Sequence, residues 1–407
     1  MKTVVFVSYH FPPSGGKAVQ RASKLVKYLP KFGWRPIVFT MPMGEPGVPV
    51  DRTLLDDLPA DIEIHRPAYR NWWRLVPHDI RKHLYHPVPD KYRGWVDSVS
   101  DKLVDLVRAS GADAIASTSP SHSTQLLGLA VKKRTGIPWI ADFRDPWAGH
   151  PDFPSKRHAA IMRDMETEVL ESADAVVGVY PKILRDFEDR IPKGKMHLIE
   201  NGYDEDDFHL VDRTRKASEG ALLMGYNGTV SGFHDPAPFL DPLEKLAADG
   251  CIDGDAVRIV FTTSESGKKR FASYRTLSEK GILIVNDYLP HAESLARLGE
   301  MDISLHLLTR GGDIYPGKIF EYFYLGNPIL SISRPDDDLH RLIEETGTGM
   351  VVDYRDTEAV VTAVLDLIRR KKNGDLSHLV EPDGTVARFS RKNIAGRFAG
   401  VLDAITL

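Results

Sequence analysis

The sequence predicts an α/β protein made of two doubly wound domains, each a parallel sheet with helices on both faces. Short apolar runs rich in β-branched residues alternate with amphipathic stretches of helical length along the whole chain. The 407 residues also exceed what one core usually organises, and the alternation breaks once near the middle.

The elements follow in order. Thr3–Ser8 reads as a buried strand, then comes the loop Phe11-Pro12-Pro13-Ser14-Gly15-Gly16 and a helix from about Lys17 to Phe32. Strands are expected at Arg35–Thr40, Asp61–His65, Asp113–Thr118, Pro138–Phe143, Ala175–Val179 and Met196–Glu200. Helices are expected at Val96–Ala109, Ser123–Thr135 and Lys156–Glu171. Turn-forming and acidic residues interrupt the pattern at 201–208. It restarts with strands at Ala221–Tyr226, Val257–Phe261, Ile282–Val285, Ile303–His306 and Pro328–Ser331. The boundary therefore falls near 200–220, giving domains 1–205 and 206–390. The last amphipathic stretch, within 391–407, is free to pack back on the first domain.

Composition excludes several classes. A net charge of −4 does not suit a nucleic-acid binder that relies on counterion release. Apolar residues make up 42% and charged ones 27%, which is globular rather than disordered. The lone Cys251 excludes a disulfide scaffold and a zinc knuckle, and favours a reducing compartment. Met1–His10 turns polar too soon for a signal peptide, and no run approaches the roughly 20 apolar residues that span a bilayer. A soluble, cytoplasmic protein is expected.

Residues 66–95 do not fit the alternation. Arg66, Arg70, Arg74, Arg81, Lys82, Lys91 and Arg93 are interleaved with Tyr69, Trp72, Trp73, Tyr85, Tyr92 and Trp95. An insertion that binds an acceptor or touches a membrane surface at the inner face has this make-up. An irregular lobe whose aromatics are simply core has it equally.

Four places carry candidate chemistry. Gly15 and Gly16 sit between a strand and a helix, where backbone amides can approach an anion, or where a tight turn needs positive φ. Asp142, Arg144 and Asp145 appear abruptly at the end of an apolar strand, where an open α/β sheet presents its ligands. They are candidates for ordering sugar hydroxyls or accepting a proton, against a purely structural pair and cap. His122, at another strand end, is a weaker catalytic candidate. The fourth place is Arg310–Leu330, which reads as a loop, a helix starting at Pro316 or Gly317, a Gly326 cap and a buried strand. Free amides at Gly317, beside the Lys318 ammonium, suit a diphosphate. Glu321, one turn on, suits a diol such as ribose, and Asp313 suits hydroxyls beyond the phosphates. The acids Asp336–Asp338 and Asp204–Asp207 read as a helix cap and a solvated linker rather than as metal ligands. His83 and His86 lack neighbouring carboxylates, so no zinc site is expected.

The run Pro316-Gly317-Lys318-Ile319-Phe320-Glu321-Tyr322-Phe323-Tyr324-Leu325-Gly326-Asn327-Pro328-Ile329-Leu330 resembles the donor-binding signature of the GT4 family of GT-B glycosyltransferases. The first-loop glycines, Asp142–Trp147, Glu200-Asn201-Gly202-Tyr203-Asp204 and Tyr226-Asn227-Gly228-Thr229 agree with it. The resemblance implies two Rossmann-like domains facing a cleft. It implies a nucleoside-diphosphate sugar held mainly by the C-terminal half, with Gly228 and Thr229 among its contacts. A sugar, lipid-linked or small-molecule hydroxyl acceptor would meet the N-terminal half. Hexosyl transfer would usually proceed with retention, with no catalytic metal and no cofactor beyond the co-substrate. Surface polysaccharide or glycolipid synthesis is the implied setting. The family's acid pair corresponds to Asp313 and Glu321, the first member shortened. Where many members carry Arg and Lys after the Gly-Thr pair, this chain has Val230-Ser231-Gly232-Phe233-His234, so phosphate charge falls to Lys318, to amides, or to Lys268 or Lys269. A sugar-nucleotide epimerase of the same fold and a non-catalytic nucleotide or glycan binder are the alternatives. An oxidoreductase is least favoured, since no G-x-G-x-x-G opens either half.

Overall fold

The computed structural model describes residues 1–16, 18–44, 50–69, 88–148, 156–212, 220–309, 313–380 and 384–407. The chain divides into two compact units, Met1–Asn201 with Arg391–Leu407, and Gly202–Ser390.

In the first unit the described strands are β1 (Lys2–Ser8), β2 (Trp34–Phe39), β3 (Glu63–His65), β4 (Ala114–Thr118), β5 (Trp139–Phe143), β6 (Ala175–Gly178) and β7 (Met196–Leu198). They form one sheet in the order β3-β2-β1-β4-β5-β6-β7, each pair parallel. β-Branched runs such as Val4-Val5-Phe6-Val7 are buried because crossover helices cover both faces. The first helix begins at Gln20, later than its sequence suggests. Its end tightens into a 3-10 turn, Leu29–Phe32, because Pro30 has no N–H for the α-helical ladder. The terminal helix Arg391–Ile405 is part of this unit. It buries Ile394, Ala395, Phe398 and Leu402 in one core with Ala22, Leu25 and Val26.

Parts of the 66–95 segment are core. The Tyr92 ring lies 3.8 Å from that of Tyr9, and fully buried Trp95 meets Tyr9 edge-on at 5.0 Å. Arg66 donates to the carbonyls of Met41 and Pro12. Arg70, Trp72, Trp73, Arg74, Arg81, Lys82, His83, Tyr85 and His86 lie outside the described residues. No described helix is long and apolar enough to cross a membrane.

The second unit holds β8 (Leu222–Asn227), β9 (Val257–Thr262), β10 (Leu283–Asn286), β11 (Ile303–Leu307), β12 (Ile329–Ser333) and β13 (Gly349–Asp353). Their order is β10-β9-β8-β11-β12-β13, again parallel throughout. Strand β13, half-buried along its length, has no sequence-based counterpart, because an edge strand lacks the continuous apolar run of a central one. Both sheets reverse their strand order beside the first strand, so chain departs in opposite directions after β1 and β4, and after β8 and β11. Open α/β sheets bind ligands at such points.

Alternation along β11 sends Ile303, Leu305 and Leu307 into the main core and Ser304 and His306 to the other face. His306 is fully buried, with Nδ1 2.9 Å from Ser331 Oγ, which in turn lies 2.9 Å from Ser333 Oγ. Burial, then the charges of Lys318 and His234, hold its pKa well below 6.5. The folded imidazole stays neutral while the unfolded one protonates, so the unfolded state binds more protons below 6.5 and stability falls with pH there. The slope from this group is at most about 1.4 kcal/mol per pH unit. Urea midpoints between pH 7.5 and pH 5 should therefore drop less for His306→Asn than for the parent; an equal drop in both would exclude His306 as a source.

Candidate active site

The first unit collects polar groups at the ends of β1, β4 and β5. Asp142 closes β5, but it is completely buried. Arg21 grips it with two nitrogens, Nε to Oδ2 at 2.9 Å and Nη2 to Oδ1 at 2.8 Å, and Thr118 Oγ1 donates to Oδ2 at 2.5 Å. The same guanidinium donates to the carbonyls of Ile199 and Glu200, tying the first helix to β5 and to the chain after β7. Asp142 is a structural anchor, which corrects its assignment as a catalytic acid. A partner 121 residues away in sequence occupies its lone pairs. Asp142→Ala should cost about 3–5 kcal/mol in urea denaturation, since it strands a buried guanidinium. Asp145→Ala, at an exposed position, should stay within about 0.5 kcal/mol of the parent.

Arg144 turns the other way. It donates from Nη1 to the Ala18 carbonyl at 2.7 Å, and its N–H bonds Ser119 Oγ at 2.8 Å. Burial first, then the Arg21 charge, lowers its pKa to about 10 against the pull of Asp142 and Asp145, so it remains a cation near neutrality. His122, ahead of helix Ser123–Thr135, stacks on Trp147 at 5.1 Å and 13°. His10, just past β1, is a functional candidate that its sequence context hides. Burial, then Arg144 and Lys91, keep it below the usual imidazole pKa, with Asp90 opposing. The only sequence signal was its place at a strand end. Gly15 and Gly16 precede the helix by several residues, with Val19 as the N-cap, so their amides are not those of the helix terminus. Gly16 has φ +91°, as a tight turn requires.

In the second unit, helix Gly317–Leu325 starts at Pro316 and ends at Gly326, whose φ of 78° provides the left-handed cap. Ile319, Phe320, Tyr322 and Phe323 seat it in a core with Leu339, Leu342 and Ile343, and Tyr322 Oη donates to the Leu305 carbonyl at 3.1 Å. The exposed Gly317 leads the first turn. Lys318 reaches back to β8: Nζ donates to the Asn227 carbonyl at 3.2 Å and lies 3.8 Å from the centre of the Tyr226 ring. Gly228 follows with φ +134°, a conformation that favours glycine, and a Cβ there would stand 3.0 Å from Nζ and press the ammonium aside by a few tenths of an ångström. Tyr226 Oη donates to the Thr229 carbonyl at 2.8 Å, and burial pushes its phenol pKa far up. Tyr226, which the sequence placed at a strand end in the Tyr226-Asn227-Gly228-Thr229 run without a role of its own, is thus the platform for Lys318.

Glu321 is half-buried, with Oε1 2.9 Å from His291 Nε2. Asp313, at φ 59°, accepts from the Asp338 N–H at 3.3 Å, and so faces the start of helix Asp338–Thr346. Asp337 caps that helix through the His340 N–H at 2.8 Å, and Asp338 pairs with Arg341. Lys268 pairs with Asp287 and Glu265, so its charge is already engaged, while Lys269 is exposed.

Residues 17–202 match the model of the glycosyl transferase 4-like domain family. Three solved structures share the fold over nearly the whole chain. Sucrose-phosphate synthase from Thermosynechococcus elongatus has a TM-score of 0.63 at 15% identity, covering 100% of this chain and 99% of its own. Anabaena Alr3699/HepE in complex with UDP has 0.65 at 12%, covering 99% and 100%. A putative UDP-N-acetylglucosamine 2-epimerase from Listeria monocytogenes has 0.60 at 12%, covering 99% and 96%. No curated protein sequence matches the chain. The two parallel-sheet units at these scores give the chain the two-domain fold of these structures. The match to the glycosyl transferase 4-like domain covers residues 17–202, a little under half of the chain.

Proposed function

We propose that the protein transfers a hexosyl group from a nucleoside-diphosphate sugar to a hydroxyl acceptor, with retention and without a catalytic metal. The setting is surface polysaccharide or glycolipid synthesis. The carrying observation is the Lys318 ammonium held at a helix N-terminus by Tyr226 and Asn227 beside Gly228. The solved complexes of Anabaena Alr3699/HepE with UDP and with UDP-glucose support a donor of this chemical class.

Cleaving the bond between the anomeric carbon and the diphosphate leaves negative charge on the β-phosphate. The amides of Gly317 and Lys318 point along the helix dipole toward that charge, and Lys318 adds a full cation. Together they supply the charge stabilisation that a metal provides in other transferases. Glu321 takes the ribose diol, Thr229 and Gly228 flank the diphosphate, and Asp313 borders the sugar. In the first unit, His10, His122, Arg144 and Asp145 form the acceptor side. The acceptor hydroxyl bonds to the anomeric carbon and its proton passes to the departing phosphate oxygen, so no separate base is needed.

A thermal-shift screen against UDP-, GDP-, ADP- and dTDP-sugars should single out one donor, adding about 2.7 kcal/mol at a hundredfold excess over Kd. Lys318→Ala should then lower kcat/KM by roughly 10- to 100-fold, the worth of a charge-assisted bond, without loss of fold. Gly228→Ala should lower it in the same direction by displacing Nζ. Ordinary turnover in both variants would remove the basis for the assignment. The Listeria fold relative makes epimerisation the second reading; conversion of a nucleotide sugar with no acceptor present would establish it.

A further inference from the structure

We propose that His291 is a positioning residue that aligns Glu321 on the ribose of the nucleotide, and so makes the site selective for ribonucleotides over 2′-deoxyribonucleotides. The inference rests on the reading of helix Gly317–Leu325 as the nucleotide-binding element.

Glu321 stands three residues after Lys318, so both side chains leave the same face of the helix. Phosphate cation and diol acceptor are thus ordered along one line. His291 comes from elsewhere in the unit. It is the first residue of helix His291–Gly299, which follows β10 after Pro290. Its Nε2 lies 2.9 Å from Glu321 Oε1, and since an ionised carboxylate can only accept, the imidazole N–H donates. The side chains are 47% and 27% exposed, so a ligand can reach the pair from solvent.

An exposed pair of this kind contributes little to folding, because water screens it and two side chains must be held still. It contributes more to binding. A glutamate left free must lose side-chain entropy when it accepts two ribose hydroxyls, whereas one already held by His291 has lost it beforehand. That gain is realised only with a diol. A 2′-deoxyribose offers one hydroxyl and does not reward the alignment.

The test measures binding of UDP, GDP and ADP against their 2′-deoxy forms by calorimetry on the full chain. His291→Ala should weaken the best ribonucleotide by about 5- to 20-fold, leave its deoxy form nearly unchanged, and leave the melting temperature where it was. His291→Gln should recover much of the loss, because its amide N–H can donate. Glu321→Ala should match the His291→Ala loss or exceed it, and the double variant should add nothing further to Glu321→Ala. If Glu321→Ala erases the ribose preference and His291→Ala does not, the positioning role is overturned while the nucleotide reading stands. If Glu321→Ala leaves the preference intact, the diol assignment itself is wrong and His291 falls with it.

Discussion

Every paired strand in both sheets runs parallel to its neighbours, and the rest of the structure follows from that constraint. A parallel pair cannot be closed by a tight hairpin, so each strand must hand over to a crossover and return on the same side. All strand-to-helix turns therefore collect along one edge of each sheet. The loops after β1 and β4, and after β8 and β11, diverge there. Backbone amides, helix termini and polar side chains are concentrated where strand order reverses, and the candidate groups of both units stand at these edges.

The same edges also need internal support, and charge serves both purposes. Arg21 and Asp142 are sealed from water, and every strong donor of the guanidinium meets an acceptor in the protein. Such a pair fixes the relative placement of the first helix, β5 and the segment after β7, but has nothing left for a substrate. Lys318 is held differently. Its ammonium rests on the Tyr226 ring and donates to a backbone carbonyl. A cation oriented beside a helix N-terminus is disposed to meet an anion. Burial and partner type separate the anchor from the ligand group, though both are charged residues at strand ends.

After the Gly-Thr turn this chain carries Val230-Ser231-Gly232-Phe233-His234. His234 gives its ring to the Leu307 carbonyl at 2.7 Å, and Phe233 stands exposed. Lys268, one of the two neighbouring cations, is tied to Asp287 and Glu265, and Lys269 is exposed. Lys318 stands beside a helix N-terminus and the Gly-Thr turn, a setting that suits a phosphate.

The amino-acid sequence by itself determined the alternation of strands and helices, the break near residue 200, and the helix from Gly317 with its Gly326 cap. These depend on local periodicity, on proline and glycine conformation, and on residues a few positions apart. It also placed Asp142 and Arg144 at a strand end, Lys318 at a helix start and Glu321 one turn further in. Only the tertiary structure decided what each does, because partners come from distant segments: Arg21 for Asp142, Tyr226 for Lys318, His291 for Glu321, the Asp338 N–H for Asp313. Edge strand β13 and the terminal helix on the first unit belong to the same class. Their stability comes from the surfaces they cover, and a surface exists only once the chain has folded.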